Sequence, residues 1–65
     1  MILVNDLKKI IAHRGLSQRK LAIMLGMSDK TFYSKMQKGV FNINEVEAII
    51  EILHIDEPYK IFFAN

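Results

Sequence analysis

Residues 17–39 read SQRKLAIMLGMSDKTFYSKMQKG. Apolar residues recur in this segment at the three- and four-residue spacing of amphipathic helices, and two serines stand where helix N-caps are favoured. The pattern predicts one helix over residues 18–25 and a second over residues 29–38, with a turn at residues 26–28. Two helices joined by so short a turn must cross at close range, so the segment predicts a compact helix-turn-helix unit.

The residue types within this unit meet the demands of that geometry. Ala22 is small where the helices cross, and Gly26 supplies the positive φ that the tight turn needs. Ser28 is placed to cap the second helix, while Phe32 and Met36, one turn apart, anchor that helix to the core. The remaining side chains of the second helix are expected to face outward: Asp29, Lys30, Tyr33, Ser34 and Gln37. An exposed helix of this kind can enter the major groove of duplex DNA.

The rest of the chain also predicts helices and shows no alternating strand pattern. Helical spacing precedes Gly15, which ends a first helix. Asn42 and Glu45 form the capping-box pattern at the start of a fourth helix. Its apolar stripe is formed by Val46, Ile49, Ile50 and Leu53. Pro58 favours the first turn of a short fifth helix, so the expected fold class is all-α, with five helices in one domain over residues 1–65.

Charge is distributed unevenly along the chain. The net charge is only +2, yet residues 1–40 hold eight Lys or Arg against two Asp, a net +6. Residues 41–65 hold one Lys against five acidic residues, a net −4. A small body with one basic and one acidic part turns its basic side toward a polyanion. Uneven charge alone is more often a solvated surface, but here the basic part contains the helix-turn-helix unit.

Composition bears on the compartment. The chain of 65 residues has no Cys, which excludes disulfides and thiolate metal sites and fits a reducing cytoplasm. The opening residues 1–4 are too short for a signal peptide, and no apolar run approaches the roughly 20 residues that a membrane span needs. We therefore expect a cytoplasmic protein without a membrane partner.

The titratable residues do not form the pattern of an active site. His13 and His54 lie on different predicted helices without metal-ligand spacing, and no Ser, His and acid set or phosphate-binding Gly loop is present. The acidic residues of the fourth helix are interpreted as a solvated face: Glu45, Glu47 and Glu51. We expect neither an enzyme nor a cofactor, a metal or a small-molecule ligand.

Several segments resemble a known family. Residues 16–22, LSQRKLA, and residues 25–28, LGMS, resemble the signature of the phage Cro and repressor family, the Xre-type transcriptional regulators. Residues 31–36, TFYSKM, and residues 58–63, PYKIFF, resemble the subset found in prophages of Gram-positive bacteria. The resemblance implies a five-helix, lambda-repressor-like DNA-binding domain in the bacterial cytoplasm. It also implies binding to double-stranded operator DNA and repression by occupying the promoter.

The resemblance also assigns roles to residues of the helix-turn-helix unit. Gln18, the first residue of the first helix, corresponds to the family's phosphate contact. The positions that correspond to base readers are Ser28, Asp29, Lys30, Tyr33, Ser34 and Gln37. Arg19 and Lys20 are expected on phosphates, with a solvated helix face as the alternative, and Lys38 completes the DNA-binding set. Asp29 is as well suited to interact with the positive end of the helix dipole as to read a cytosine.

Two departures from the family pattern affect these assignments. The commonest pattern has its second anchor three residues after Phe32, where this chain has Lys35, and the anchor here is Met36. The base-reading register is therefore defined only to within about one position. Ile23 and Met24 occupy positions that are usually polar, and both are expected to point away from the core.

Two other functions remain open. A DNA-binding antitoxin would present Ile23 and Met24, or the aromatic C-terminal segment, to a partner protein. A helical protein-interaction module would have lost DNA binding altogether. A homodimer is expected at least on DNA, because one recognition helix covers too few base pairs for specificity. Its contacts would be Ile23 and Met24, or Ile61 and Phe63.

Overall fold

The computed structural model describes residues 2–63, which form five α-helices and no strand. The helices are α1 (Val4–His13), α2 (Gln18–Met24), α3 (Asp29–Lys38), α4 (Ile43–Leu53) and α5 (Pro58–Phe62). The all-α class and the order of five helices are confirmed. The second helix is one residue shorter at its C-terminal end than its apolar spacing predicts, because Leu25 serves as its C-cap.

Every helix contributes to one small core. The buried apolar side chains are Leu7, Ile11, Leu21, Ala22, Phe32, Met36, Val46, Ile49, Leu53 and Phe62. The apolar stripe expected on α4 is present, although Ile50 is only half-buried. No buried polar side chain of residues 2–63 lacks a hydrogen-bond partner. The core of the described residues contains no polar or charged side chain, and it holds together helices that are too short to be stable alone.

Three of the helices begin with the side-chain caps that the sequence predicts. Ser17 and Ser28 each accept a hydrogen bond from the backbone N–H three residues on, at 3.0 and 3.1 Å. At α4 the capping box is complete. The Asn42 carboxamide oxygen accepts from the Glu45 N–H at 2.8 Å, and the Glu45 carboxylate accepts from the Asn42 N–H at 2.9 Å. These bonds satisfy N–H groups that have no partner within the helix.

Four helices end in the same left-handed turn. After α2, Gly26 has φ +73°, its N–H donates to the Ile23 carbonyl at 3.0 Å, and the Met27 N–H donates to the Ala22 carbonyl at 3.0 Å. This pair of bonds is the Schellman motif. A Cβ at Gly26 would meet nothing within 4 Å, so its positive φ, and not a lack of space, favours glycine there.

The fourth of these turns is formed without glycine. His54, which follows α4, has φ 52°, and it is the single non-glycine residue with positive φ among those described. The Ile55 N–H behind it donates to the Ile50 carbonyl at 3.1 Å, as in the other turns. A left-handed conformation costs an ordinary residue roughly 1–2 kcal/mol. The C-terminal end of α4 is therefore strained at one position.

An arginine from α1 stabilises that end of α4. The Arg14 guanidinium donates to the Leu53 carbonyl at 2.7 Å and to the His54 carbonyl at 3.1 Å. Both carbonyls belong to the last turn, where a helix leaves acceptors unsatisfied and carries the negative end of its dipole. Arg14 thus joins the ends of α1 and α4.

The two ends of the described chain also meet. The Leu3 N–H donates to the Ile61 carbonyl at 2.8 Å, which ties the start of α1 to α5. Phe62 points into the core from α5, whereas Phe63 is about half exposed and packs on Tyr59, with ring centroids 5.2 Å apart. No helix within residues 2–63 is long and apolar enough to cross a bilayer.

The strained turn leads to a stability prediction. Replacing His54→Gly should stabilise the fold by about 0.5–1 kcal/mol. The reason is that the strain energy relieved at positive φ exceeds the extra conformational entropy that a glycine loses on folding. Urea unfolding followed by circular dichroism measures the difference. His13→Gly is the matched control, since His13 lies in α1 with ordinary helical geometry, and it should destabilise. Equal destabilisation by both changes would contradict the assigned strain.

Candidate nucleic-acid interface

The junction of α2 and α3 is built from side chains that have little freedom to move. Ala22 is fully buried on α2, and Phe32 and Met36 of α3 are almost fully buried behind the outer face of that helix. The assignment of Met36 as the second anchor is therefore confirmed. Lys35, which holds the anchor position of the commonest family pattern, keeps 31% of its side chain exposed. The core thus fixes the rotation of α3 about its own axis.

That rotation brings most of the expected residues to the outer face of α3. Ser28 at its N-cap is exposed, as are Asp29, Lys30, Tyr33, Gln37 and Lys38. Ser34 is the exception, because it is half-buried where full exposure was expected. It lines a groove together with Lys30, Lys35 and Lys38.

Two of the exposed residues hold each other in place. The Gln37 amide donates to the Tyr33 hydroxyl at 3.2 Å, across one turn of α3. Side chains four residues apart on a helix are neighbours, so the bond needs no distortion. It leaves the amide oxygen of Gln37 and the hydroxyl hydrogen of Tyr33 available to a partner in front of the helix.

A small groove runs between the first turns of α2 and α3. It has a volume of about 190 Å³, and its lining joins Gln18 and Arg19 of α2 to Asp29 and Tyr33 of α3, with Phe32 at its base. Arg19 and Asp29 form an ion pair across it, with Nε and Oδ2 3.4 Å apart. Both side chains are largely exposed, so the pair contributes little to stability. The groove thus brings four of the sequence-assigned residues together.

A second groove lies on the opposite flank of α3. It has a volume of about 480 Å³ and is lined by Lys30, Thr31, Ser34, Lys35, Lys38 and Val40. Sequence reasoning assigned Lys30, Ser34 and Lys38 singly and missed the groove that unites them. Lys20 lines neither groove and lies exposed on α2. Among residues 2–63, the side chains of Lys20, Lys30 and Lys38 form no ion pair.

One ion pair connects α3 to α4, and it corrects an expectation. Glu45 was interpreted as part of a solvated face, but its side chain is only 17% exposed and lies 2.7 Å from the Lys35 ammonium. The hydrogen bond from Lys35, together with the backbone N–H of Asn42, holds the pKa of Glu45 below its usual value. A half-buried lysine on the inner side of a helix needs such a partner, which is how the sequence could have indicated the pair. Glu47 and Glu51 are exposed as expected.

The two unusual apolar residues of α2 lie where the sequence places them. Ile23 is 62% exposed and Met24 is also exposed, so both point away from the core. No cluster of three or more potential metal-binding side chains occurs within residues 2–63. No protein-family model, no curated protein and no solved structure matches this chain. The function of the chain must therefore be inferred from the surface of α2 and α3.

The stability that the Lys35–Glu45 ion pair contributes should decrease in acid. Because the pKa of Glu45 is lowered on folding, its contribution is present above the unfolded value of 4.5 and is lost as the pH falls through the folded value. Lys35→Met should cost about 1 kcal/mol at neutral pH, and the difference from the unmodified chain should shrink as the pH falls below 4.5. Urea unfolding across this range measures it. Lys30→Met, which removes an unpaired lysine, is the control and should show no such convergence.

Proposed function

We propose that this chain is a lambda-repressor-like helix-turn-helix domain that binds duplex DNA sequence-specifically and regulates transcription. The observation that carries the proposal is the geometry of α3. This helix is anchored from behind by Phe32 and Met36, capped by Ser28, and open in front along Tyr33 and Gln37. The major groove of B-DNA is about 12 Å wide and admits one helix of this kind.

The proposed contacts divide into those that position the protein and those that read sequence. Gln18, at the first turn of α2, contacts a phosphate, with Arg19 and Lys20 beside it on the same helix. Lys38, the last residue of α3, contacts phosphates at the C-terminal end of that helix. The candidate base readers are Ser28, Asp29, Lys30, Tyr33, Ser34 and Gln37. Ser34 is half-buried and is the least exposed of these candidates.

Electrostatics support the same orientation toward DNA. Lys20, Lys30 and Lys38 are exposed and unpaired within the described chain, so their charges are available to DNA. Most of the acidic residues lie on α4 or beyond it, as Glu47 and Glu51 do. The charge separation that the sequence shows is therefore a separation between helices of one body, and it directs α2 and α3 toward a polyanion.

Chemistry distinguishes the two strongest base-reading candidates. The Gln37 carboxamide can pair with the N6 and N7 atoms of adenine, whereas Lys30 can donate to the O6 and N7 atoms of guanine. The bond from Gln37 to the Tyr33 hydroxyl orients the amide before DNA arrives. Asp29 is engaged by Arg19 and stands in the first turn of α3, which favours its role as a dipole partner over cytosine reading.

The biological setting that we propose rests on the size of the domain and on the resemblance of its segments to phage and prophage regulators. One recognition helix covers only a few base pairs, so two copies bind operator half-sites one helical turn apart, about 34–36 Å. Such a dimer represses by occupying the promoter, in the manner of a Cro-like repressor of a phage or prophage in the bacterial cytoplasm. No catalysis, cofactor or small-molecule effector is needed for this activity.

A second candidate function is favoured by the exposed face of α2. Ile23 is 62% exposed and stands beside the exposed Met24, which is unusual for a helix next to a DNA-binding surface. An antitoxin or a protein-interaction module would use this pair to bind another protein. Failure to bind any duplex even at low salt would favour the interaction module, and a complex lost on Ile23→Glu would identify its surface.

The proposed phosphate contacts predict a strong dependence on salt. With Lys20 and Lys38 on phosphates, the logarithm of the binding constant should fall with the logarithm of salt concentration at a slope of about −2 per chain. Lys20→Ala should weaken binding to all duplexes alike and reduce the slope by about 1. Fluorescence anisotropy with a labelled duplex measures both. Lys60→Ala, in the acidic part, is the control, and a response to salt that is flat in all variants would refute the proposal.

Selection of bound duplexes from a random pool tests sequence recognition directly. We expect an enriched inverted repeat whose half-sites are about 10 base pairs apart. Gln37→Ala should relax preference at one base pair per half-site at a cost of about 1–3 kcal/mol, whereas Lys20→Ala should leave the enriched sequence unchanged. A pool without enrichment would exclude sequence-specific binding. If the consensus is unchanged for both Gln37→Ala and Lys30→Ala, the residues that read the bases lie elsewhere on the protein.

A further inference from the structure

Val40 differs from the residues at the equivalent place in the other helix-ending turns. The apolar residue that follows a Schellman turn usually packs back onto its helix. Leu16, Met27 and Ile55 do so and lie against the core, but Val40 is 64% exposed. Its backbone N–H donates to the Lys35 carbonyl, so the residue that it should pack against is a lysine already directed to Glu45. Val40 is left without an apolar partner.

Two more apolar side chains share this surface. Ile43 at the start of α4 is 60% exposed, and Phe63 after α5 is 47% exposed. With Val40 they line one groove of about 380 Å³, to which Phe41, Val46 and Phe62 also contribute. We call Val40, Ile43 and Phe63 the Val40 patch. Three separate parts of the chain thus converge on one apolar surface that the core does not use.

We propose that the Val40 patch is the surface through which two copies of this chain associate. A two-fold contact requires that a surface be complementary to itself. The patch suits such a contact because it is apolar and because exposed side chains of opposite charge lie near it in the chain. Lys38 shares a groove with Val40, and Glu47 lies one helical turn after Ile43 on the exposed side of α4. A two-fold axis through the patch brings Lys38 of one copy toward Glu47 of the other.

The patch is small compared with the interfaces of stable complexes. Three side chains of this size, each about half exposed, present roughly 300 Å² of apolar surface, which is within the range of functional patches on small proteins. Stable complexes bury about 800 Å² per partner, so the free chain should associate weakly. Two copies held on adjacent half-sites gain from their high effective concentration, and DNA therefore strengthens the contact.

The position of the patch fits simultaneous contact with DNA, and in this respect the inference rests on the proposed function. Val40 directly follows the turn that ends α3, so association at the patch brings the C-terminal ends of the two α3 helices toward the axis. Lys30, Tyr33 and Gln37 lie further back along α3 and stay uncovered. Neither Ile23 nor Met24, the other exposed apolar pair, is part of the surface.

Sedimentation equilibrium of the full chain without DNA tests the patch independently of the proposed function. The mass-average molar mass of the unmodified chain should rise toward that of two chains at roughly 100 μM to 1 mM, as expected for so small an interface. Ile43→Glu should stay at the mass of one chain. Ile23→Glu, an equally exposed control, should associate like the unmodified chain. A monomer at all concentrations, or association lost in Ile23→Glu and kept in Ile43→Glu, would overturn the inference.

Disulfide trapping supplies the second measurement, because the chain has no cysteine of its own. Under mild oxidation Ile43→Cys should form a covalent dimer, faster when the selected inverted-repeat duplex is present, and Ile23→Cys should not. Trapping of Ile43→Cys without any duplex binding would support the patch while refuting the proposed function. Sequence-specific binding with no trapping of Ile43→Cys would refute the patch while leaving the proposed function intact.

Discussion

Helices of 5 to 11 residues can persist in this protein only by sharing a core, since isolated helices shorter than about 12–15 residues are marginal in water. Sharing a core requires that each helix end sharply and send the chain back across it. Left-handed turns after α1, α2, α3 and α4 perform this task, three with glycine and one with His54. The same constraint explains why the loops are short and why most of the apolar residues lie in the core or pack against it.

The candidate interface is a consequence of this shared core. Because Phe32 and Met36 fill the core from α3, the opposite side of that helix is committed to solvent or to a partner. The turn at Gly26 sets α2 against it, and the Lys35–Glu45 pair braces it from α4. A surface held from three sides stays in shape without its ligand, which reduces the entropy lost on binding.

Local features of the fold were predictable, whereas contacts between distant residues were not. Caps and turns depend on a few neighbouring residues, so Ser17, Ser28 and Asn42 indicated helix starts correctly. The bonds from Arg14 to the end of α4 connect residues about 40 positions apart, and no local pattern contains them. For the same reason the sequence charge of +6 overstates what DNA could meet, since Arg14 and Lys35 are engaged within the protein.

The hydrogen bond between Leu3 and Ile61 makes the order of α1 and that of α5 mutually dependent. Neither helix has a side-chain N-cap, in contrast to the three helices between them. Each therefore relies on the other for part of its stability, and fraying at one end of the chain loosens the other. Phe63 stands at the end of this coupled pair. A molecule that binds Phe63 would therefore stabilise α5 and, through the Leu3–Ile61 hydrogen bond, α1 as well. The two ends of the described chain would then unfold together with the core.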